Sequence, residues 1–299
     1  MAARTILVFL LLSTSVCQSL PAAEIATLDA GVVRILYDKP LRGAAEEVSR
    51  IYPEALAEVE KTLQWRLNRP PTIRLVRLEA DFRKMTPIVP VVAMAFPDEN
   101  LVVIDYSRMN VQPFTLTTTL KHELCHLLLH AHISRRNLPK WLDEGVSQWI
   151  SEGVAEILID AKPDALHRAL MAGRTIPLSH IADGFPVDPA ELALAYAQSQ
   201  SVVGYIQSEF GVERLLEILR RLEQGEAIDA ALTNTLSLSL DELEKGWLEH
   251  ASRQTNWFTF VATHLYGILF FLAAVMTVIG FVRFVHRKRA YRDWDEEDE

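Results

Sequence analysis

The segment His122-Glu123-Leu124-Cys125-His126 places two imidazoles four residues apart, with a carboxylate directly after the first. Residues four apart in a helix lie about 40° apart around its axis and about 6 Å along it, so His122 and His126 can direct their rings at one tetrahedral metal ion. Glu123 is too close in sequence to be a comfortable third ligand, but it is well placed against metal-bound water. The spacing therefore predicts a metal site on a helix.

A catalytic zinc site needs a third protein ligand and an open fourth position, and two residues compete for that role. His132 follows His126 by six residues, but the position at which such a pattern carries a bending glycine is Leu129. A continuous helix would carry His132 about 9 Å further along the axis. Glu144 belongs to a second predicted helix that begins near Pro139, and a short connection makes the two helices antiparallel neighbours. We therefore favour Glu144 over His132 as the third ligand.

Three other polar side chains near the motif have simpler interpretations. Cys125 lies on another face of the helix from the two histidines, which favours a buried packing residue over a nucleophile. Asp143 is one position away from the face of Glu144. We therefore expect it to be exposed or to contact a metal-ligating side chain without binding the metal itself. His130 lies one turn beyond His126, too far along the helix to share the ion. We expect it to be solvated, with a contact to substrate at the rim of the site as the alternative.

The predicted elements change character near Pro113. Before it, β-rich runs surround one amphipathic helix, and the last two runs are predicted to form a hairpin; after it, the apolar spacing is helical. This order predicts an α+β fold. The predicted strands are 32–37, 72–78, 91–96 and Leu101–Asp105, and the predicted helices are 44–67, 114–131, 139–151, 189–209, 211–223 and 239–252.

Aromatic and small residues in the second motif suggest how its helix packs. Trp141 and Trp149 are eight residues apart and are expected to pack the second helix on the first. Gly145 is expected to allow the same two helices to approach closely.

The N-terminus has the pattern of a secretory signal peptide. Residues 1–23 contain Arg4, an apolar run from Ile6 to Leu12, and then small residues. The apolar run is well short of the roughly 20 residues that a bilayer span needs. Cleavage at the end of this segment would remove Cys17.

A second apolar segment lies near the C-terminus. Residues 257–282 carry no formal charge and are long enough to cross a hydrocarbon core of about 30 Å. The basic cluster that follows predicts 283–299 as a charged cytoplasmic tail, so the domain at 24–253 is expected outside the cytoplasm. A buried core helix is the competing interpretation.

Composition excludes several classes of protein. The 299 residues are 49% hydrophobic and 23% charged, which is typical of a globular chain, and no linker or repeat divides 24–253. The net charge of −9 gives no basic field for a phosphate backbone, so nucleic acid is not expected as a partner. Two cysteines, Cys17 and Cys125, are too few for a disulfide framework or a multi-cysteine zinc finger.

The two motifs together resemble a known family. His-Glu-x-x-His at 122–126, followed by Leu-Pro-x-Trp-Leu-x-Glu-Gly at 138–145, is similar to the gluzincin zinc metallopeptidases, and most closely to the bacterial peptidase MA-like families. The resemblance covers roughly 101–211. It implies a zincin-like domain in which His122, His126 and Glu144 hold zinc and Glu123 is the general base. Zinc would activate water and polarise the scissile carbonyl, while Glu123 moves a proton to the leaving amine.

The resemblance has two weaker implications. Tyr196 matches a residue of a later helix that stabilises the oxyanion in related families, and Tyr205 is its rival. The strand Leu101–Asp105 would line the cleft, where an extended peptide could add as a further strand. A Gly-x-Met-x-Asn exopeptidase signature is missing from the sequence before the zinc helix, which counts against a typical aminopeptidase.

The sequence thus predicts a membrane-anchored, extracytoplasmic zinc metallopeptidase that acts on peptides or proteins. A catalytically inactive binding or assembly module of the cell envelope is the alternative, and the intact base and ligand set argue against it. An intramembrane protease is excluded because His126 lies more than 130 residues from the predicted span.

Overall fold

The computed structural model describes the central part of the chain and most of its C-terminal helix. The described residues are 24–86, 91–109, 111, 114–152 and 165–295, with the backbone alone for 254–264, 268 and 285–295. The predicted signal peptide and residues 296–299 of the predicted tail lie outside them.

A mixed sheet forms the first part of the fold. Among the described residues it has five strands in the order β1-β2-β3-β5-β4, parallel at the two central pairings and antiparallel at both ends. The strands are β1 (Ile25–Asp29), β2 (Arg34–Asp38), β3 (Thr72–Val76), β4 (Ala93–Phe96) and β5 (Leu101–Asp105). The predicted hairpin is confirmed, because β4 and β5 pair around the turn at 97–100.

The helices confirm most of the predicted ones and add three. The described helices are α1 (Arg42–Leu63), α2 (Glu79–Met85), α3 (Leu116–His132), α4 (Lys140–Ser151), α5 (Ala165–Ala172), α6 (Pro189–Phe210), α7 (Val212–Glu223), α8 (Ile228–Leu236) and α9 (Leu240–Asp295). Helices α2, α5 and α8 and strand β1 are short elements that the sequence did not predict. The last domain helix was predicted to end at 252, whereas α9 continues to Asp295.

Strand alternation gives the sheet two apolar faces. Ile73 of β3 and Ile104 of β5 point into the main core, which also contains buried residues of α1 and α3. Val76 and Val103 point the other way, into a smaller cluster with Phe82 of α2. The sheet is thus covered on both faces, and its main core supports α3 directly.

The expectation that a further strand could add to β5 is wrong. A strand that accepts a further strand must lie at the edge of the sheet, but β5 is paired on both sides, with β3 and with β4. The edge strand on this side is β4, so an extended peptide could only add to β4.

Gly145 allows a close helix contact, but with a different partner from the one expected. A Cβ at Gly145 would lie 2.4 Å from the backbone oxygen of Ser199 and 2.5 Å from Val203 Cγ2, both on α6. The residue therefore brings α4 against α6 and not against α3. Trp141 is fully buried, as its packing role requires, whereas Trp149 is only partly buried.

α9 begins in the domain and continues as an exposed apolar helix. Leu243 and Trp247 are fully buried, and the Trp247 indole donates a hydrogen bond to Ser201 Oγ of α6. Further along, the segment Leu265–Phe284 is long and apolar enough to cross a membrane, and none of it is buried against the described protein. The exposed side chains there include Tyr266 and Phe270.

The contact at Gly145 predicts opposite effects for two glycine substitutions. Gly145→Ala would force a methyl group into backbone, and such overpacking typically costs about 1–3 kcal/mol, more than the gain of about 1 kcal/mol in helix propensity. Gly204→Ala, on α6 with open space around its Cβ, brings only the propensity gain. Denaturation of the full chain in detergent measures both. Equal stability of the two variants would contradict the close approach.

Candidate metal centre

α3 carries the first motif through the core. The Thr115 hydroxyl accepts a hydrogen bond from the Thr118 backbone N–H and caps the N-terminus of the helix. Apolar residues that include Leu120 and Leu124 are fully buried on this helix. His122 is also buried, so α3 brings its polar motif into the interior, where each polar group requires a partner.

α4 brings the second motif against α3. The connection packs inward at Ile133 and Leu138, and Pro139 is the residue before the first helical position. The first N–H of the helix, at Lys140, donates to the Ala182 carbonyl at 2.6 Å. The short buried connection folds α4 back along α3, so that Glu144 in its second turn faces the histidines.

The donor atoms of His122, His126 and Glu144 converge at one point. The two Nε2 atoms are 3.0 Å apart, and Glu144 Oε2 lies 3.5 Å from the first and 3.6 Å from the second. Tetrahedral ligands at metal–nitrogen distances of about 2.0–2.1 Å would be about 3.3 Å apart, close to all three separations. Among the described residues these three form the group whose donor atoms could hold a metal ion.

Two buried carboxylate oxygens, one in this cluster and one on the residue that follows His122, lack hydrogen bonds. They are Glu144 Oε2, which faces the imidazoles, and Glu123 Oε2. Both side chains are almost fully buried, and a buried oxygen without a partner costs roughly 1–3 kcal/mol or more when charged. A cation for Glu144 and a water molecule for Glu123 would supply the missing partners. Two imidazoles and one carboxylate are a common donor set of catalytic zinc, so these residues fit a zinc ion.

Asp143 orients His126 from the side away from the metal position. The Nδ1 of His126 donates to Asp143 Oδ1 at 2.7 Å, and Ser147 Oγ lies 3.3 Å from the same nitrogen. In the neutral form of the ring this leaves Nε2 with its lone pair toward Glu144, as a metal ligand requires. Of the two placements expected for Asp143, the exposed one is wrong, because the residue is 2% exposed.

His130 is not the solvated residue that the sequence suggested. Its Nε2 lies 3.3 Å from Asp143 Oδ2, so one carboxylate bridges His126 and His130. The helix places His130 one turn beyond His126, and the neighbouring α4 supplies the acid between them. His130 is therefore part of the network around the site without reaching the metal position.

Lys140 completes the charge balance of the site and was missed by the sequence analysis. Its Nζ lies 2.7 Å from Glu144 Oε1 and 3.2 Å from Asp143 Oδ2. The signal was present in the sequence, since residues three and four apart on a helix are neighbours. Its importance depends on the burial of both carboxylates, which the sequence does not give.

The charged groups hold one another in their ionised forms. Burial opposes ionisation of Glu144, but the Lys140 ammonium and His126 hold its pKa well below the usual range. Burial likewise opposes the charge on Asp143, and His126 and Lys140 lower its pKa. Burial lowers the pKa of His126, but the two carboxylates raise it to about 10. Because a metal ligand must be deprotonated, a cation that binds the imidazole pair displaces the extra proton of His126.

The rival third ligand, His132, lies outside the cluster. Its Nδ1 is 2.8 Å from Glu223 Oε1 and its Nε2 is 3.0 Å from the Arg66 carbonyl. Its ring also stacks on Trp65, with the ring centres 4.7 Å apart. Both ring nitrogens therefore join the end of α3 to other elements, and Glu144 alone of the two candidates faces the histidines.

The two tyrosines considered for the oxyanion lie at different places on α6. Tyr205 packs against His250 and Phe210, near α9. Tyr196 contacts Phe185, and its backbone carbonyl accepts a hydrogen bond from the Gln148 side chain of α4. Tyr196 is thus on the turn of α6 that is joined to the helix carrying Glu144, whereas Tyr205 is not.

Cys125 is a packing residue, as expected. Its side chain is fully buried in the main core, and burial raises the pKa of its thiol. A thiol that stays protonated is a poor nucleophile. Cys125 therefore contributes to the packing of α3 and leaves the chemistry to the groups around it.

The chain has similar proteins among solved structures but not among curated sequences. Curated proteins gave no sequence match. Among solved structures, yeast LTA4 hydrolase in complex with bestatin is 12% identical with a TM-score of 0.44, and covers 78% of this chain and 38% of that chain. A mutant two-domain M1 zinc metallopeptidase bound to L-arginine is 13% identical with a TM-score of 0.43, and covers 75% and 51%. The chain thus spans about half or less of the length of these proteins.

The family comparison covers most of the folded region. The family model described as the Peptidase MA superfamily matches residues 61–252, which include α3, α4 and α6 with all the groups described above. The match to this family model confirms the resemblance that the two motifs indicated. The chain belongs to the Peptidase MA superfamily.

Proposed function

We propose that this chain is a zinc metallopeptidase in which His122, His126 and Glu144 hold the metal. The observation that carries the proposal is the convergence of their three donor atoms. Glu123, the residue after His122, adds a buried oxygen without a hydrogen bond. Membership of a peptidase superfamily supports the same reaction class and implies peptides or proteins as substrates.

The residues divide the chemistry among themselves. When bound, zinc supplies a Lewis acid that polarises the scissile carbonyl and activates water at neutral pH. Glu123 Oε2 takes the proton from the attacking water and passes it to the leaving amine. Asp143 holds His126 in the tautomer that presents Nε2 to the site. Tyr196, beside α4, donates a hydrogen bond to the oxyanion that develops on the substrate.

The unpartnered oxygen of Glu123 also argues against the inactive binding module. A buried carboxylate oxygen without a hydrogen bond lowers stability, and a protein that only binds a partner gains nothing from that cost. A general base must keep one oxygen free to accept a proton from water. Catalysis would therefore account for the loss of stability at Glu123.

We further propose that α9 anchors the domain in a membrane. The exposed apolar side chains along Leu265–Phe284 support this proposal and argue against the buried core helix. The basic residues that follow favour a cytoplasmic C-terminus, with the domain at 24–253 outside and 1–23 removed as a signal peptide. Membrane and peptide or protein substrate are then the partners of the chain.

Zinc is expected to stabilise the folded chain through the three predicted ligands. A ligand at 100 times its dissociation constant stabilises by about 2.7 kcal/mol, which raises the melting temperature. His122→Ala and Glu144→Ala should abolish the zinc-dependent rise in the metal-stripped chain, whereas His132→Ala should keep it. If the zinc-dependent rise in melting temperature survives Glu144→Ala and disappears in His132→Ala, the third ligand is His132 and not Glu144.

Glu123→Gln is expected to retain zinc and lose hydrolysis. The amide cannot accept the proton of water, and general-base catalysis contributes about 10²–10⁴-fold. Turnover of a casein-type substrate and the zinc content of the same sample measure the two properties separately. Glu213→Gln, the same change at an exposed position of α7, is the control. Unchanged turnover in Glu123→Gln would refute the role of this residue.

Two charges in the apolar segment are expected to release the chain from membranes. An arginine at the centre of a span costs about 2.5–3.5 kcal/mol, so Leu272→Arg with Met276→Arg should weaken insertion strongly. Carbonate extraction of membranes followed by detection of the chain is the measurement, and Ser252→Arg, before the segment, is the control. The proposed anchor is refuted if the unaltered chain is found in the soluble fraction.

A further inference from the structure

Lys140 is an unusual neighbour for a metal ligand. It occupies the first position of α4, where the positive end of the helix dipole disfavours a cation, and its side chain is 37% exposed. Two buried carboxylates hold it there, because its Nζ bonds Glu144 Oε1 and lies near Asp143 Oδ2. The charge of Lys140 therefore interacts unfavourably with the helix dipole, and the packing of α4 alone does not require a cation there.

The two oxygens of Glu144 have separate partners. Oε1 accepts from Lys140 at 2.7 Å, whereas Oε2 has no hydrogen bond and lies 3.5 and 3.6 Å from the two imidazole nitrogens. A carboxylate with both oxygens free can bind a metal through either or both. Lys140 leaves only Oε2 for the histidine pair.

The positive charge of Lys140 also weakens the binding of a metal ion by Glu144. A cation on one carboxylate oxygen withdraws charge from the group and repels a second cation bound to the other oxygen. Asp143 has the opposite effect, because it adds negative charge behind His126. Lys140 also orients the Glu144 side chain, but this effect on metal affinity is smaller than the effect of its charge. Glu144 is 3% exposed and is already confined by its surroundings.

We propose that Lys140 is a positioning residue that restricts Glu144 to one coordinating oxygen and limits how tightly the site holds its metal. This inference rests on the proposed function, because it takes Glu144 as a ligand. A metal held less tightly by its protein ligands keeps more of its positive charge for the substrate carbonyl. Lys140 thus lowers the affinity of the site for zinc and strengthens the polarisation of the substrate carbonyl.

Lys140→Met is expected to bind zinc more tightly and to hydrolyse substrate more slowly. Loss of a group that contacts a metal ligand typically weakens metal binding by about 10–100-fold. Because Lys140 is a cation, we expect the opposite direction here, with binding at least about tenfold tighter. Competition with a chromophoric chelator measures zinc affinity in the full-length chain in detergent. With cobalt in place of zinc, coordination by both Glu144 oxygens should weaken the visible absorption, which is intense only for four-coordinate cobalt.

Two further variants separate this role from a structural one. Lys140→Arg keeps the charge and should bind zinc nearly as the unaltered chain does. Lys121→Met removes an equal charge from α3, where Lys121 pairs with Glu58 of α1, and should leave zinc affinity unchanged. A variant that was merely misfolded would bind zinc more weakly and melt earlier.

The outcomes distinguish this inference from the function on which it rests. Lys140→Met with unchanged or weaker zinc affinity overturns the role of Lys140, while the peptidase proposal stands if Glu144→Ala still abolishes binding. Zinc binding that is indifferent to Glu144→Ala overturns both proposals. Tighter zinc with lower turnover in Lys140→Met, restored by Lys140→Arg, supports the inference.

Discussion

The central constraint of this structure is the burial of charge at the contact between two helices. Glu144 and Asp143 of α4 meet His122 and His126 of α3 in an interior that would otherwise exclude all four groups. Their mutual attraction and hydrogen bonds offset part of the desolvation cost, and removal of one partner would leave another charge uncompensated. The relative placement of α3 and α4 is therefore fixed by electrostatics as well as by apolar packing.

The rest of the fold supports this contact from two sides. The sheet and α1 hold α3 through the main core. Behind α4, α6 approaches so closely at Gly145 that a side chain would meet its backbone, and Gln148 bonds the Tyr196 carbonyl across the same interface. The residue after Glu144 thus determines how closely α6 can pack behind it.

The sequence predicted the parts of the site that depend on helix geometry. The positions of His122 and His126 follow from helical spacing, and Glu144 follows from a short connection between two helices. These local rules also gave the hairpin and the α+β class. Local rules fail for contacts made across the fold. His130 was expected to be solvated and Lys140 was not singled out, and only the burial of Asp143 between them shows their place in the site. The place of β5 inside the sheet likewise depends on pairing partners distant in sequence.

The continuity of α9 has a mechanical consequence. Trp247 is fixed in the domain and Leu265 begins the exposed apolar segment, so one stiff rod of about 27 Å separates them at 1.5 Å per residue. In the proposed anchored state, the continuous helix restricts rotation of the domain relative to the membrane. A tilt of the helix would also tilt the domain and its metal site. The distance from the lipid surface at which a polypeptide can be cut is then set by the length of this rod.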